Sequence, residues 1–337
     1  MAALLEVSQL NTSFATDEGE ITVVNDVSFS VHTGRTLAIV GESGCGKSVT
    51  ALSIMGLLAK PAGNIKGGSI RFEGQELVGA SARTLQDLRG NGLSMIFQEP
   101  MTSLNPSYTV GEQIIEGLIK HRKLSRPQAR QKAIDILRKV RIPSPEQRLA
   151  EFPHKLSGGM RQRVMIAMAL VCEPRVLIAD EPTTALDVTI QAQILELMNT
   201  LQQETGTAIV LITHDLGVVA EIADEVIVMY AGRVVERAPV HALFAWPQHP
   251  YTVGLLGAIP RLDLAQTRLV SIDGQVPNPA QPLLGCSFAP RCPFAQAACT
   301  NQIPALNPVG EAHFSACLRA PLEVDRLLAN SQVEAAT

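Results

Sequence analysis

Eight consecutive residues, Gly41-Glu42-Ser43-Gly44-Cys45-Gly46-Lys47-Ser48, restrict this chain more than any other part of its sequence. They follow Thr36-Leu37-Ala38-Ile39-Val40, a nearly continuous apolar run, and open a helical pattern over residues 47–58. A run without alternation suits a strand covered on both faces, as in a parallel sheet packed between helices. Glycines at these spacings let successive backbone N–H groups turn inward around a phosphate. The helix that follows presents its positive end, Lys47 can reach the terminal phosphates, and the Ser48 hydroxyl can ligate Mg²⁺. A glycine-rich turn can match the spacing by chance, but a strand before and a helix after are the context a phosphate loop requires. Gly41, Ser43, Gly44, Cys45, Gly46, Lys47, Ser48 and Val49 are therefore the expected phosphate-binding set.

Three more apolar runs, at residues 175–179, 208–212 and 226–229, read as buried parallel strands. Between them Ile190, Ile194, Leu197, Met198 and Leu201 form one helical stripe that Gly206 is placed to stop. Leu4–Leu10 and Ile21–Val31 alternate apolar and polar residues and predict an antiparallel pair joined by a turn at 16–19. The expected fold is an α/β P-loop core with an antiparallel β subdomain, over residues 1–98 and 157–240. Residues 99–156 carry only helical patterns and read as an inserted helical subdomain. There Ser125-Arg126-Pro127-Gln128 fits a capping box, and Ala129, Ala133, Ile134, Leu137 and Val140 fit a buried stripe.

Asp180 and Glu181 end the apolar run 175–179, and ligands bind at the carboxyl ends of strands in such sheets. Asp180 can hold Mg²⁺, and Glu181 can orient and deprotonate a water. The bland alternative is a solvated acidic turn. Leu156-Ser157-Gly158-Gly159-Met160 begins another helix and makes a second anion site on paper, although an ordinary capped helix start explains it equally well when taken alone.

Composition removes other classes. The 28 Lys and Arg residues against 32 Asp and Glu give a net charge of −4, which argues against a face built to grip nucleic-acid phosphates. One Trp, three Tyr and nine Phe leave little for base stacking. No apolar stretch approaches the roughly 18 residues of a spanning helix, and the first residues lack the pattern of a secretory signal. A cytosolic chain with reduced cysteines is expected, with any membrane role supplied by partners.

Taken in order, the phosphate loop, Gln98, Leu156-Ser157-Gly158-Gly159, Asp180-Glu181, Ala185-Leu186-Asp187 and His214 resemble the ATP-binding cassette (ABC) family. The resemblance spans residues 4 to about 240. It implies that Gln98 contacts Mg²⁺ and a membrane partner, and that Ser157 and Gly159 contact the γ-phosphate across a dimer. It further implies that Asp187 lies at the dimer interface, that His214 senses the γ-phosphate, and that Glu181, His214 and Lys47 carry catalysis. Phe14 stands where the family places an adenine-stacking aromatic, more often Tyr; it also fits a plain core position. Met160 stands where the family more often has Gln.

Gln248-His249-Pro250-Tyr251-Thr252 and the Pro- and Cys-rich tail, residues 241–337, are similar to the extension of bacterial oligopeptide/dipeptide importer ATPases. Residues 99–106 after Gln98 resemble the same branch. The implied machine has a second ATPase subunit, commonly a different chain, two membrane-spanning permease subunits and an extracytoplasmic peptide-binding protein. It uses ATP and Mg²⁺ and works at the cytoplasmic face of the membrane, without nucleic acid.

The tail itself shows little periodicity and is expected to be irregular. Its cysteines, Cys286, Cys292, Cys299 and Cys317, are spaced C-x5-C-x6-C-x17-C, unlike the close pairs of zinc ribbons. Four thiolates can hold a [4Fe–4S] cluster, which the resemblance implies; zinc and no metal remain the alternatives. Cys45 and Cys172 lie elsewhere and are expected to be unliganded.

Rival functions share or discard the ATPase. The same chemistry can serve nickel, glutathione or another small solute, and nothing in a motor subunit touches the cargo. Soluble cassette ATPases of translation or repair usually carry tandem cassettes or a coiled-coil insert, absent here. A redox or metal-sensing module would leave the ATPase motifs idle.

Overall fold

The computed structural model describes residues 3–17, 19–98, 103–183, 188–258, 272–281 and 284–323. Two sheets organise them. In the first, β1 (Leu5–Thr16) pairs antiparallel with β2 (Gly19–Val31) and with β4 (Gly63–Phe72), and β5 (Gln75–Glu76) closes the order β2-β1-β4-β5.

The second sheet runs β11-β12-β10-β9-β3-β8-β7-β6. Its parallel heart is β3 (Thr36–Val40), β6 (Leu93–Ile96), β7 (Val176–Asp180) and β8 (Ala208–Ile212), every residue of which is buried. That complete burial is why these stretches read as continuous apolar runs. β9 (Glu225–Tyr230) is parallel to β3, and β10 (Arg233–Pro239) turns back on β9.

Helices α1 (Lys47–Met55), α2 (Ala82–Leu88), α3 (Val110–Arg122), α4 (Arg126–Lys139), α5 (Pro145–Arg148), α6 (Gly158–Leu170), α7 (Val188–Thr205) and α8 (Leu216–Ile222) cover the sheet faces and form the helical part. Ser125 and Gln128 make the expected capping box of α4, whose Ala129, Ala133, Ile134 and Leu137 are buried. Gly206, at φ 69°, ends α7 as anticipated, and Ile194, Leu197, Met198 and Leu201 form its buried stripe. One apolar cluster joins α3, α4, α6 and α7 to β7 and β8. A second lies between the antiparallel sheet, α1 and the parallel sheet.

The tail is largely irregular, as its composition suggests, but carries a few short elements. After α9 (Val240–Ala245) and α10 (Pro250–Gly257) it adds α11 (Ala297–Asn301) and two short strands, β11 (Asn307–Gly310) and β12 (His313–Ser315). β12 pairs antiparallel with β10, so the main sheet continues into the tail. Tyr230, Tyr251 and Phe288 pack ring against ring at centroid separations of 4.7–5.4 Å, forming the third cluster.

Glu236 fastens this junction. Fully buried in β10, it accepts the backbone N–H groups of Gln248 at 2.6 Å and His249 at 2.9 Å and pairs with His313 Nε2 at 2.7 Å. The Gln248 side chain in turn accepts from Leu322 N at 2.7 Å and donates to Leu322 O at 3.3 Å. A fully buried carboxylate with three partners is costly to disrupt, because each partner would stay buried and unpaired. Glu236→Ala should destabilise the fold by about 3 kcal/mol or more, read as a lowered urea midpoint. A shift below about 1 kcal/mol would deny Glu236 that role.

Candidate active site

The phosphate loop joins β3 to α1. Gly41 lies at φ 149°, and a Cβ there would sit 2.2 Å from the Met229 carbonyl oxygen. At Gly46, φ 101°, a Cβ would come within 2.8 Å of the Val23 carbonyl oxygen. These two glycines are required by close backbone approach as well as by dihedral angle. Ser43 and Gly44 are exposed at the tip, while Cys45 is buried beneath it and its thiol is pushed up by burial. Val49 is half-buried on the second cluster.

Lys47 is folded back into the loop. Its Nζ donates to Gly41 O at 2.7 Å and Glu42 O at 3.0 Å and lies 3.8 Å from Cys45 Sγ. Beside it, Ser48 Oγ donates to Asp180 Oδ1 at 3.1 Å. Asp180 is 4% exposed, and burial raises its carboxyl above the usual range, with the adjacent Glu181 adding to the rise while Ser48 and Lys47 oppose it. A hydroxyl and a carboxylate brought together in this way form a hard-oxygen pair that suits Mg²⁺.

Glu181 follows at φ 48°, its N–H donating to Ile212 O at 2.9 Å. Its carboxylate turns away from Asp180 and meets two groups from other strands. Gln98 Nε2 donates to Glu181 Oε2 at 3.1 Å, and His214 Nδ1 lies 3.5 Å from Glu181 Oε1. Residues from the ends of β6, β7 and β8, far apart in sequence, thus converge. A carboxylate held between an amide and an imidazole can accept a proton from water and orient it.

Ser157 and Gly158 lie exposed at the start of α6, where Ser157 Oγ accepts from Met160 N at 3.4 Å; Gly159 is half-buried, and a Cβ there would lie 3.5 Å from Ile190 Cγ2. Phe14 is half-buried on β1 opposite Gly63, where a Cβ would meet the ring at 2.8 Å. Asp187 lies outside the described residues.

The ABC transporter family profile matches residues 24–184, and the profile of the oligopeptide/dipeptide transporter C-terminal region matches residues 235–299. A dipeptide transport ATP-binding protein of Bacillus subtilis is 51% identical over 317 residues, 94% of this chain and 95% of its own. An oligopeptide transport ATP-binding protein of Salmonella typhimurium is 51% identical over 320 residues, 95% and 94% of the two chains. Among solved structures, the dimeric cassette MJ0796 with ADP and Pi superimposes with a TM-score of 0.63 at 28% identity, covering 70% of this chain and 98% of that one.

The chain is an ATPase of the oligopeptide/dipeptide ABC transporter family.

The cysteines of this ABC ATPase's tail meet the sequence expectation only in part. Cys286, Cys292, Cys299 and Cys317 line one cavity of about 20 Å³, together with His249 and Phe288. His249 Nδ1 accepts from Tyr251 N at 3.1 Å, so the neutral ring carries its proton on Nε2, a buried atom with no hydrogen-bond partner among the described residues. Burial lowers the His249 pKa to about 3 and raises that of Cys292 to about 11. The donor set and the orphaned N–H suit a sulfur-rich ligand. Yet among the described residues no group of three or more His, Cys, Asp or Glu side chains is arranged to hold a metal ion. The geometry therefore does not show the expected [4Fe–4S] site. The four cysteines close on a space barely large enough for one water.

The sequence gives no sign of the roles of Glu42, Tyr251 and Arg291. Tyr251 OH accepts from Glu42 N at 2.8 Å, and Arg291 grips the Glu42 carboxylate at 2.6 and 3.0 Å. No local pattern links residues 249 positions apart, so only the fold reveals the contact.

If Lys47 holds the terminal phosphates, Lys47→Ala should weaken Mg-ATP binding at least about tenfold, measured by equilibrium titration with a fluorescent nucleotide. Unchanged affinity would remove Lys47 from the site.

Proposed function

We propose that this chain hydrolyses ATP to power the import of di- or oligopeptides through membrane-embedded permease partners. The convergence of Glu181, Gln98 and His214 beside the phosphate loop carries the ATPase half of that reading. The peptide half is supported by relatives named for dipeptide and oligopeptide transport that match over almost the whole chain, tail included.

In this reading Gly41, Ser43, Gly44, Cys45, Gly46, Lys47, Ser48 and Val49 cradle the phosphates, and Phe14 stacks on adenine. Ser48 and Asp180, with Gln98 close by, would hold Mg²⁺, which neutralises charge on the β- and γ-phosphates when bound. Glu181 takes the proton of the attacking water, and His214, held against it, orients the γ-phosphate. Ser157 and Gly159 lie exposed or half-exposed and are offered to the nucleotide of a second subunit, with Asp187 at the same interface. The partner subunit is commonly a sister chain in this branch.

Nucleotide then acts as an adhesive between subunits, and hydrolysis releases them; open and closed dimers are the two states that ligand biases. No helix among the described residues is long and apolar enough to cross a membrane. The force is therefore passed on, through Gln98 and the helical segment 99–156, to two permeases on the cytoplasmic face, with an extracytoplasmic binding protein delivering the peptide.

Glu181→Gln should lower turnover at least about a hundredfold while ATP-bound dimers persist, seen by size-exclusion chromatography beside phosphate release. Undiminished hydrolysis would strip Glu181 of the role of base. Uptake of tripeptide against Ni²⁺ or glutathione by the assembled complex decides the cargo; transport of either rival without peptide would overturn the peptide assignment.

We also infer that the four tail cysteines take an iron–sulfur cluster once iron and sulfide are supplied. The support is their convergence on one cavity with the unpartnered His249 N–H, which can donate to a sulfur. Protein isolated without oxygen should carry about four irons and absorb broadly near about 400 nm. Iron-free protein with an ordered tail, or zinc in its place, would contradict this.

A further inference from the structure

Arg291 sits on a short turn, Ala289–Arg291, bracketed by Cys286 and Cys292 of the cysteine-lined cavity. Its side chain is 5% exposed, against 28% for its partner Glu42. A guanidinium has five N–H donors, and here all five are taken. Nε donates to Asp273 O at 2.9 Å; one terminal nitrogen donates to Glu42 Oε2 at 2.6 Å and Tyr230 Oη at 3.3 Å. The other donates to Glu42 Oε1 at 3.0 Å and Ile272 O at 3.0 Å. A fork saturated in this way has one geometry, and lysine cannot reproduce it.

Glu42 is the second residue of the phosphate loop, and every polar group it owns is engaged. Its N–H is held by Tyr251, its carboxylate by Arg291, and its carbonyl by Lys47 and the Cys45 N–H. Two of these four holders, Tyr251 and Arg291, come from the tail. The carbonyls of Gly41 and Glu42 set where Lys47 rests, so a shift of Glu42 moves the lysine.

We propose that Arg291 is a positioning residue for the nucleotide site: through Glu42 it fixes the entrance of the phosphate loop and the resting place of Lys47. The tail is then part of the ATP site, and nucleotide affinity depends on the turn between Cys286 and Cys292 keeping its shape. Any ligand or modification at the cysteine cavity acts on ATP through this arginine. The inference rests on the nucleotide reading of the loop and goes beyond it by extending the site into the tail.

The test is a double-mutant cycle on full-length protein, with a fluorescent ATP analogue and Mg²⁺ as probe. Arg291→Gln and Glu42→Gln should each weaken binding about tenfold, and the double variant should be no worse than either single one. Arg291→Lys, which keeps the charge but not the fork, should fall between Arg291→Gln and the unmodified protein. The KM for ATP should rise more than kcat falls. The nucleotide-free unfolding midpoint separates these effects from misfolding; if Arg291→Gln does not fold, the comparison of Arg291→Lys with Glu42→Gln carries the test. Affinity within about twofold of normal in Arg291→Gln, or losses that simply multiply in the double variant, would overturn the proposal. Failure of the nucleotide reading would look different, because Lys47→Ala would then leave the probe's binding untouched.

Discussion

The chemistry of this chain depends on one bend of the backbone. At the carboxyl end of β7 the chain leaves a fully buried strand and enters the left-handed region at Glu181, φ 48°. A residue with a side chain pays roughly 1 kcal/mol for such a conformation, and it persists where the surroundings fix it. Here the N–H is fixed by Ile212 O in the neighbouring strand. The two successive carboxylates here meet different groups. Asp180 stays with Ser48 at the foot of the phosphate loop, and Glu181 reaches Gln98 and His214. Gln162 supports the same loop by donating to Pro182 O from α6, so the helix capped by Ser157 is tied to the end of β7.

The order of the parallel strands does the rest. β3, β8, β7 and β6 are neighbours, so the loops after them open on one side of the sheet, as ligand-binding loops do in open α/β sheets. Antiparallel β9 and β10 carry the sheet onward to the tail, where Glu236 and the Tyr230–Tyr251–Phe288 rings join the tail to the core. An apolar cluster, a buried carboxylate and a saturated arginine hold this tail, which explains how a proline-rich stretch with little periodicity keeps a defined shape.

Much of this was readable from residues alone, for local reasons. The phosphate loop announces itself because glycine, lysine and serine must occur at fixed spacing between a strand and a helix. Thr36–Val40 and Ala208–Ile212 coincide with their strands because burial on both faces leaves an unbroken apolar run. Gly63–Phe72 escaped notice because its glycines and exposed lysine break the alternation that marks a strand, although it pairs along β1. The strands Asn307–Gly310 and His313–Ser315 are too short and too polar to register. Glu236, Tyr251 and Arg291 were invisible for a different reason: their partners lie far away in sequence, and no pattern encodes such a pairing. The cysteines were legible as a group, but their spacing does not say how they are arranged around the cavity they line.

In the proposed mechanism, cleavage of bound triphosphate does work on partners in the membrane. The most direct test is accumulation of a labelled tripeptide in proteoliposomes that contain the assembled transporter, with Mg-ATP compared against a non-hydrolysable analogue. Accumulation with ATP and none with the analogue is predicted. Equal accumulation with both would contradict the central claim.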